Sequence, residues 1–270
     1  MIDDDILFTG DVLNRNYDEF HDRVYFRSNE DLNALFCHFD INGKNVLSVL
    51  GSGDQAFHLI NRGADSIDLF DKNKLTIYYF YLRLWTLRYL NMFYPESEIS
   101  HGFIKNLLSY VKVENEEEAK AYEYWRLFTD LYHARNPRDM FITEGPVMNE
   151  LEDISLINQR IKNKKINFYN WDISKFVDAD KQYDLIYMSN ISEWICGTVS
   201  ITVCRNNLSK LLKDDGLIIC SNLCNDGARF VEIRLFSKSF NYYELPASLV
   251  RGNYDVDAPG YFYTKKKLGS

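Results

Sequence analysis

The sequence predicts an α/β protein built on an open, mostly parallel sheet, with a helical insertion. Three observations predict it. NVLSVLG at 45–51 is a continuous apolar run closed by glycine, which is how a strand buried on both faces reads. A helix beginning near Asp54 and a second apolar run, SIDLFD at 66–71, complete a strand, turn, helix, strand unit. Apolar runs return after residue 165, beyond a long stretch of helical pattern.

Taken in order, residues 1–44 form a polar, mixed lead-in. Within it Leu32, Leu35 and Phe36 fall at helical spacing, so a short helix there packs on the core or closes over a site. The stretch 74–90, rich in aromatics, lacks glycine and proline. Its hydrophobicity on all sides predicts a long helix buried on more than one face. From 91 to about 164 the alternation stops. EEEAKAYEYWRLFTDLYHA and VMNELEDISLINQRIKN are helical, and NPRDMFITEGP between them is a loop marked by two prolines and a glycine, so this region is expected to be an inserted helical cap.

The α/β pattern resumes with KINFYNWDISKF, a strand running into a turn at Trp171 and Asp172. YDLIYMSNISEWI is a strand over 184–188 that opens into a polar loop, and the helix ITVCRNNLSKLLK leads through DDG to the strand LIICSN at 217–222. The tail segments SFNYYELPASLV and GYFYTKK predict a strand pair that closes the sheet with an antiparallel strand. One domain over 45–264 with a lead-in is therefore expected.

The net charge is −8 and the 31 basic residues are spread along the chain, which argues against a nucleic-acid partner. Aromatics reach 15% of the residues, enough for a thick aromatic core or an aromatic-lined pocket. Five cysteines without metal-ligand spacing fit a reducing compartment, with Cys220 and Cys224 as buried thiols. None of the five histidines has the spacing of a triad or a metal site. The acidic start and the lack of a membrane-length apolar run lead to the expectation of a soluble, cytoplasmic protein with no integral membrane segment.

Polar residues close each strand: Gly51 to Gln55, Asp71 to Asn73, Asp172, and Ser189 to Glu193. In an open α/β sheet these ends meet at the ligand crevice. GSGDQA at 51–56 formally satisfies the dinucleotide fingerprint, and Asp71 lies 20 residues after Gly51. An aspartate at the helix start repels a pyrophosphate, however. S-adenosylmethionine carries a sulfonium and an ammonium instead, which makes it the expected cofactor. Asp54 then either faces that cation or caps the helix. Asp71 is expected to take the ribose hydroxyls, and Asp172 with Ile173 the adenine. Gly51, Ser52, Gly53, Gln55, Lys72, Asn73, Ser189 and Asn190 complete the expected cofactor set.

VLSVLGSGDQAF, the DKN at 71–73 before a long YxxLR-containing helix, SNISEWI at 189–195 and SNL at 221–223 together resemble the betaine-lipid 3-amino-3-carboxypropyltransferases. These are a branch of the class I S-adenosylmethionine-dependent transferase fold. The resemblance spans roughly 45–95 and 165–225, and SNISEW is its most specific piece. It implies a Rossmann-like class I methyltransferase sheet and transfer of an aminocarboxypropyl group with release of methylthioadenosine. It also implies that Ser189, Asn190, Glu193 and Trp194 line the reaction center. The sequence departs from the pattern in two ways: Val49 stands where class I methyltransferases carry an acid, and the chain is shorter than the lipid enzymes.

Such a displacement requires alignment, exclusion of water and, for some acceptors, a base, but no metal. Glu193 is the candidate base or orienting group, or else a solvated helix carboxylate. Asn190 orients the acceptor or forms the turn, and Trp194 is pocket wall. Tyr122, Tyr124, Trp125, Phe128 and Tyr132 of the cap either roof a small-molecule or lipid-like acceptor or pack as core. Competing readings are methyl transfer to a small molecule, a nicotinamide oxidoreductase, and a non-catalytic S-adenosylmethionine-binding protein.

Overall fold

A computed structural model describes residues 24–25, 28, 30–92, 99–131, 141–142, 154–162, 164–175, 180–189, 191, 198–220, 240–244 and 261–265. The described residues open with strand β1 (Val24–Tyr25) and helix α1 (Leu32–Phe36). Asp31 caps α1 by accepting from the Ala34 N–H at 2.9 Å, and the expected face of Leu32, Leu35 and Phe36 is buried. Strand β2 (Asn45–Val49) leads through the glycine turn to helix α2 (Asp54–Asn61) and strand β3 (Ser66–Phe70).

Helix α3 (Lys74–Trp85) is capped by Asn73, whose side chain accepts from Leu75 N–H, and continues into a π-helical turn, Thr86–Leu90. Every residue from Leu75 to Trp85 is buried, as its all-round hydrophobicity predicts. Helix α4 (His101–Leu108) and helix α5 (Glu116–Leu131) follow, with α5 lying on α3 and α4 on α5. Two indoles fasten this packing. Trp85 Nε1 donates to Glu118 at 2.7 Å, and Trp125 Nε1 donates to the Tyr78 carbonyl at 2.8 Å. Strand β4 (Phe141–Ile142) pairs in parallel with β1, so the insertion and the lead-in share a small second sheet. Helix α6 (Ile154–Lys162), grouped by its sequence position with the cap, packs against α2 and leads directly into strand β5 (Lys165–Tyr169). It therefore serves as the crossover helix of the sheet.

Strand β6 (Tyr183–Ser189), helix α7 (Thr198–Leu211), strand β7 (Leu212–Cys220), strand β8 (Phe240–Glu244) and strand β9 (Tyr261–Lys265) follow among the described residues. Strand β7 starts before the expected residue 217, because Leu212 already pairs with Tyr183. Residues 213–216 of β7 then stand against Asp184 alone in β6 before Leu217 meets Leu185. The sheet order is β5-β3-β2-β6-β7-β9-β8. Its first five strands run parallel, and β9 runs antiparallel to both β7 and β8, as the tail predicts.

Because β2 lies between β3 and β6, the chain winds away from β2 in both directions and opens a crevice at the carboxyl ends of β2 and β6. Asp68, fully buried in β3, crosses β2 to accept from Tyr183 OH at 2.7 Å, and also takes bonds from Lys181 Nζ and Asn167 Nδ2. Burial pushes its carboxyl up, but these donors and the Lys181 charge outweigh that and hold it below the usual range. No helix among the described residues is long and apolar enough to cross a membrane.

Candidate functional site at the switch point

The glycine turn requires its glycines. Gly51 has φ 49° and Gly53 φ 87°, both in the left-handed region. A Cβ on Gly53 would stand 2.6 Å from the Phe80 ring, so the close approach is made by α3. From the same helix, Arg83 donates to the Ser52 carbonyl and to the Asp54 carboxylate, each at 2.7 Å, and both charged side chains are fully buried. The other Asp54 oxygen accepts from Ser28 N–H at 2.6 Å and Ser52 Oγ at 2.9 Å.

Asp54 therefore does not present its charge to a cationic ligand, nor does it cap α2, a position that Gly53 occupies. Its counter-ion is a guanidinium of the protein, because an arginine buried at this depth needs a paired anion. The signal was in the sequence: Arg83 is the one charge within the apolar run YYFYLRLW.

Asp71 closes β3 beside this turn. One oxygen accepts from Gly51 N–H at 3.2 Å and the other from Asn73 N–H at 2.9 Å. Burial pushes its carboxyl up to about 6, and the two backbone donors and Lys72 only partly offset that. The Asn73 amide oxygen is spent on the α3 cap, and Lys72 points to solvent. Gln55, in the first turn of α2, lies against Gly51. Its Oε1 is buried and has no hydrogen-bond partner among the described residues.

At the end of β5 the Asp172 carboxylate turns back on its own loop, accepting from Ser174 N–H at 3.0 Å and Ser174 Oγ at 2.6 Å. Partial burial pushes that carboxyl up, while the Ser174 bonds bring it below the usual range. Ile173 is buried, and its carbonyl accepts from Asn207 of α7. Trp171 stacks on Tyr169 with ring centroids 4.1 Å apart, an aromatic ledge beside the same crevice.

At the end of β6, Ser189 has φ 49°, uncommon for a residue with a side chain. Its hydroxyl donates to Glu30 at 3.0 Å, and Tyr187 OH donates to the same carboxylate oxygen. Glu30 is fully buried and belongs to the lead-in, a contribution the sequence analysis missed. Only its place just before an amphipathic helix pointed to it. Asn190, Glu193 and Trp194 lie outside the described residues, as do Tyr132, Cys224 and the SNL at 221–223.

The cap aromatics pack as core. Tyr124, Trp125 and Phe128 are buried, with Tyr124 stacked on Tyr78 at 5.0 Å and Phe128 on His101 at 5.1 Å. Tyr122 is partly buried and meets the edge of Trp85. Tyr124 and Trp125, expected to meet an acceptor, are thus occupied with joining α5 to α3, while Phe128 reaches α4.

No family model and no curated protein matches the chain. Solved structures similar to it include the glycopeptide N-methyltransferase MtfA complexed with S-adenosyl-L-homocysteine, at 11% identity over 96% of this chain and 98% of that one, with a TM-score of 0.49. A TehB-like SAM-dependent methyltransferase from Corynebacterium glutamicum aligns at 11% identity over 87% of each chain, with a TM-score of 0.46. The N-methyltransferase NodS from Bradyrhizobium japonicum aligns at 12% identity over 87% of this chain and 92% of that one, with a TM-score of 0.43. The sheet order itself, with five parallel strands, an antiparallel strand at one side and a glycine turn at the switch point, gives this chain the Rossmann-like α/β fold.

Proposed function

We propose that the chain is an S-adenosylmethionine-dependent transferase. The observation that carries this reading is the Asp71 carboxylate at the switch point, aligned by Gly51 and Asn73 and 20 residues beyond the first glycine. A carboxylate so placed suits the paired hydroxyls of a ribose. The residues present fit the rest of the cofactor. Gln55 Oε1 is a buried acceptor beside Gly51 without a partner among the described residues, suited to an ammonium or hydroxyl donor.

A dinucleotide fits less well. The glycine that would let the backbone approach a pyrophosphate has its space filled by Phe80. This supports S-adenosylmethionine without the charge argument first attached to Asp54.

The bound cofactor would supply an electrophilic carbon on a sulfonium. In the proposed reaction, a lone pair of the acceptor forms the new bond to that carbon. Sulfur would leave with the electrons of the carbon–sulfur bond, and Glu193 is the candidate base that would take the acceptor proton. Asp71 and the glycine turn hold the nucleoside and its tail, Asp172 and Ile173 border the adenine, and Asn190 orients the acceptor. Burial of the turn limits competing attack by water.

The SNISEW loop supports the aminocarboxypropyl group as the one transferred. Methyl transfer is the second reading, since both groups leave the same sulfonium and the described residues favour neither carbon. The acceptor class in either case is a small molecule or a lipid-like compound.

Two measurements test this. Calorimetry with S-adenosylhomocysteine and methylthioadenosine is expected to show binding, and no binding of either, or of the cofactor, removes the transferase reading. Incubation of S-adenosylmethionine with a panel of amine, hydroxyl and lipid acceptors is expected to release methylthioadenosine. Release of S-adenosylhomocysteine instead would establish methyl transfer.

A further inference from the structure

Between the glycine turn and the end of β6 lies a bridge that neither the strands nor the proposed cofactor contacts require. Ser28 donates its backbone N–H to Asp54, at the start of α2. The Glu30 N–H donates to Ser28 Oγ at 3.2 Å, and the Glu30 carboxylate then receives the hydroxyls of Tyr187 and Ser189. Ser28 and Glu30 are both buried, Glu30 completely. A short piece of the lead-in is thus bonded at one end to the loop expected to hold the cofactor, and at the other to the strand end from which the acceptor loop departs.

The carboxylate lies where the backbone is strained. Ser189 at φ 49° lacks the freedom of a glycine, and such a conformation persists when its surroundings over-determine it. The Glu30 hydrogen bond supplies that restraint, and Tyr187, two residues earlier on the same face of β6, shares it. A carboxylate can accept from both hydroxyls at once, and hydrogen bonds to a charged group are stronger than neutral ones.

We infer that Glu30 is a positioning residue for the transfer, coupling the glycine turn to the end of β6 so that the two sides of the crevice are set together. This rests on the transferase reading for its purpose, but its physical content is a coupling measurable without any ligand.

Amide hydrogen exchange in the unliganded full chain tests it, with Glu30→Ala and the more conservative Glu30→Gln. Glu30→Ala is expected to speed exchange about ten-fold at both the peptide spanning 47–57 and that spanning 183–191, the loss of one or two charged hydrogen bonds. Glu30→Gln, which keeps one acceptor, is expected to retain most of the protection. Acceleration confined to 183–191, or spread evenly over the whole sheet, would overturn the inference.

S-adenosylhomocysteine serves as the second probe. It is expected to protect both peptides in the wild type and only 47–57 in Glu30→Ala, and equal protection of 183–191 in the two proteins would likewise overturn the coupling. If calorimetry finds no S-adenosylhomocysteine binding to the wild type, the transferase reading fails while the ligand-free comparison still decides the coupling.

Discussion

Arg83 and Asp54 form an ion pair of 2.7 Å between two side chains with no exposed area, one from the middle of an apolar helix and the other from the first turn after a glycine loop. The pair fixes the loop by its backbone as well, since the second arm of the guanidinium holds the Ser52 carbonyl. Removing one member leaves the other as an uncompensated buried charge. Asp54→Asn and Arg83→Met are each expected to cost about 3–5 kcal/mol in denaturant unfolding, and the double variant Asp54→Asn with Arg83→Met less than the sum of the two. Additive losses would mean that the two groups do not sense one another.

Gly53 carries two requirements, a left-handed backbone and space for Phe80. Gly53→Ala is expected to destabilise the protein by about 2–4 kcal/mol, combining conformational cost with overpacking. Adding Phe80→Leu is expected to return the overpacking part only, read as a partial recovery of the denaturant midpoint.

Asp71 sets a pH dependence. Its folded carboxyl is raised to about 6, so the native state holds a proton there that the unfolded chain, near the ordinary aspartate value of 3.8, gives up earlier. The stability from this group is present below the unfolded value, falls as pH rises between about 4 and 6, and is lost above the folded value. Binding runs the other way. If the ionised form accepts ribose hydroxyls, S-adenosylhomocysteine affinity is expected to weaken up to about ten-fold per pH unit below 6. Asp71→Asn is expected to bind weakly at every pH, and a wild-type affinity that stays flat from pH 5 to 7 would rule out this role.

Trp125 separates core from pocket. Trp125→Phe is expected to cost about 1–2 kcal/mol, through loss of the indole bond to the Tyr78 carbonyl and of ring volume, while leaving S-adenosylhomocysteine affinity within about two-fold. A selective loss of affinity with unchanged stability would return the cap aromatics to the ligand site.

The sheet was legible because its strands announce themselves one at a time: NVLSVLG, SIDLFD and KINFY are runs whose burial depends mainly on local pattern. The antiparallel tail was legible for the same reason. What escaped was pairing across distance. The acid in GSGDQA was read by its charge and its place at a helix start, both local properties, yet its partner stands 29 residues away on α3. Glu30 is further still from the hydroxyls it receives. Tyr124 and Trp125 were readable as roof or core alike, because helical spacing gives a face but not what the face meets. Position along β3 also concealed Asp68, whose partners come from β5, β6 and the segment before β6.

The bond between Ser189 and Glu30 joins residues 159 positions apart. During vectorial synthesis Glu30 is made early, yet its carboxylate must wait for Tyr187 and Ser189 before these two bonds exist. The Glu30 bridge then belongs to the last structure acquired on folding and the first released on unfolding, since distant contacts repay their closure entropy late. A protease cutting near residue 30 would accordingly distinguish a finished molecule from one still under construction on the ribosome.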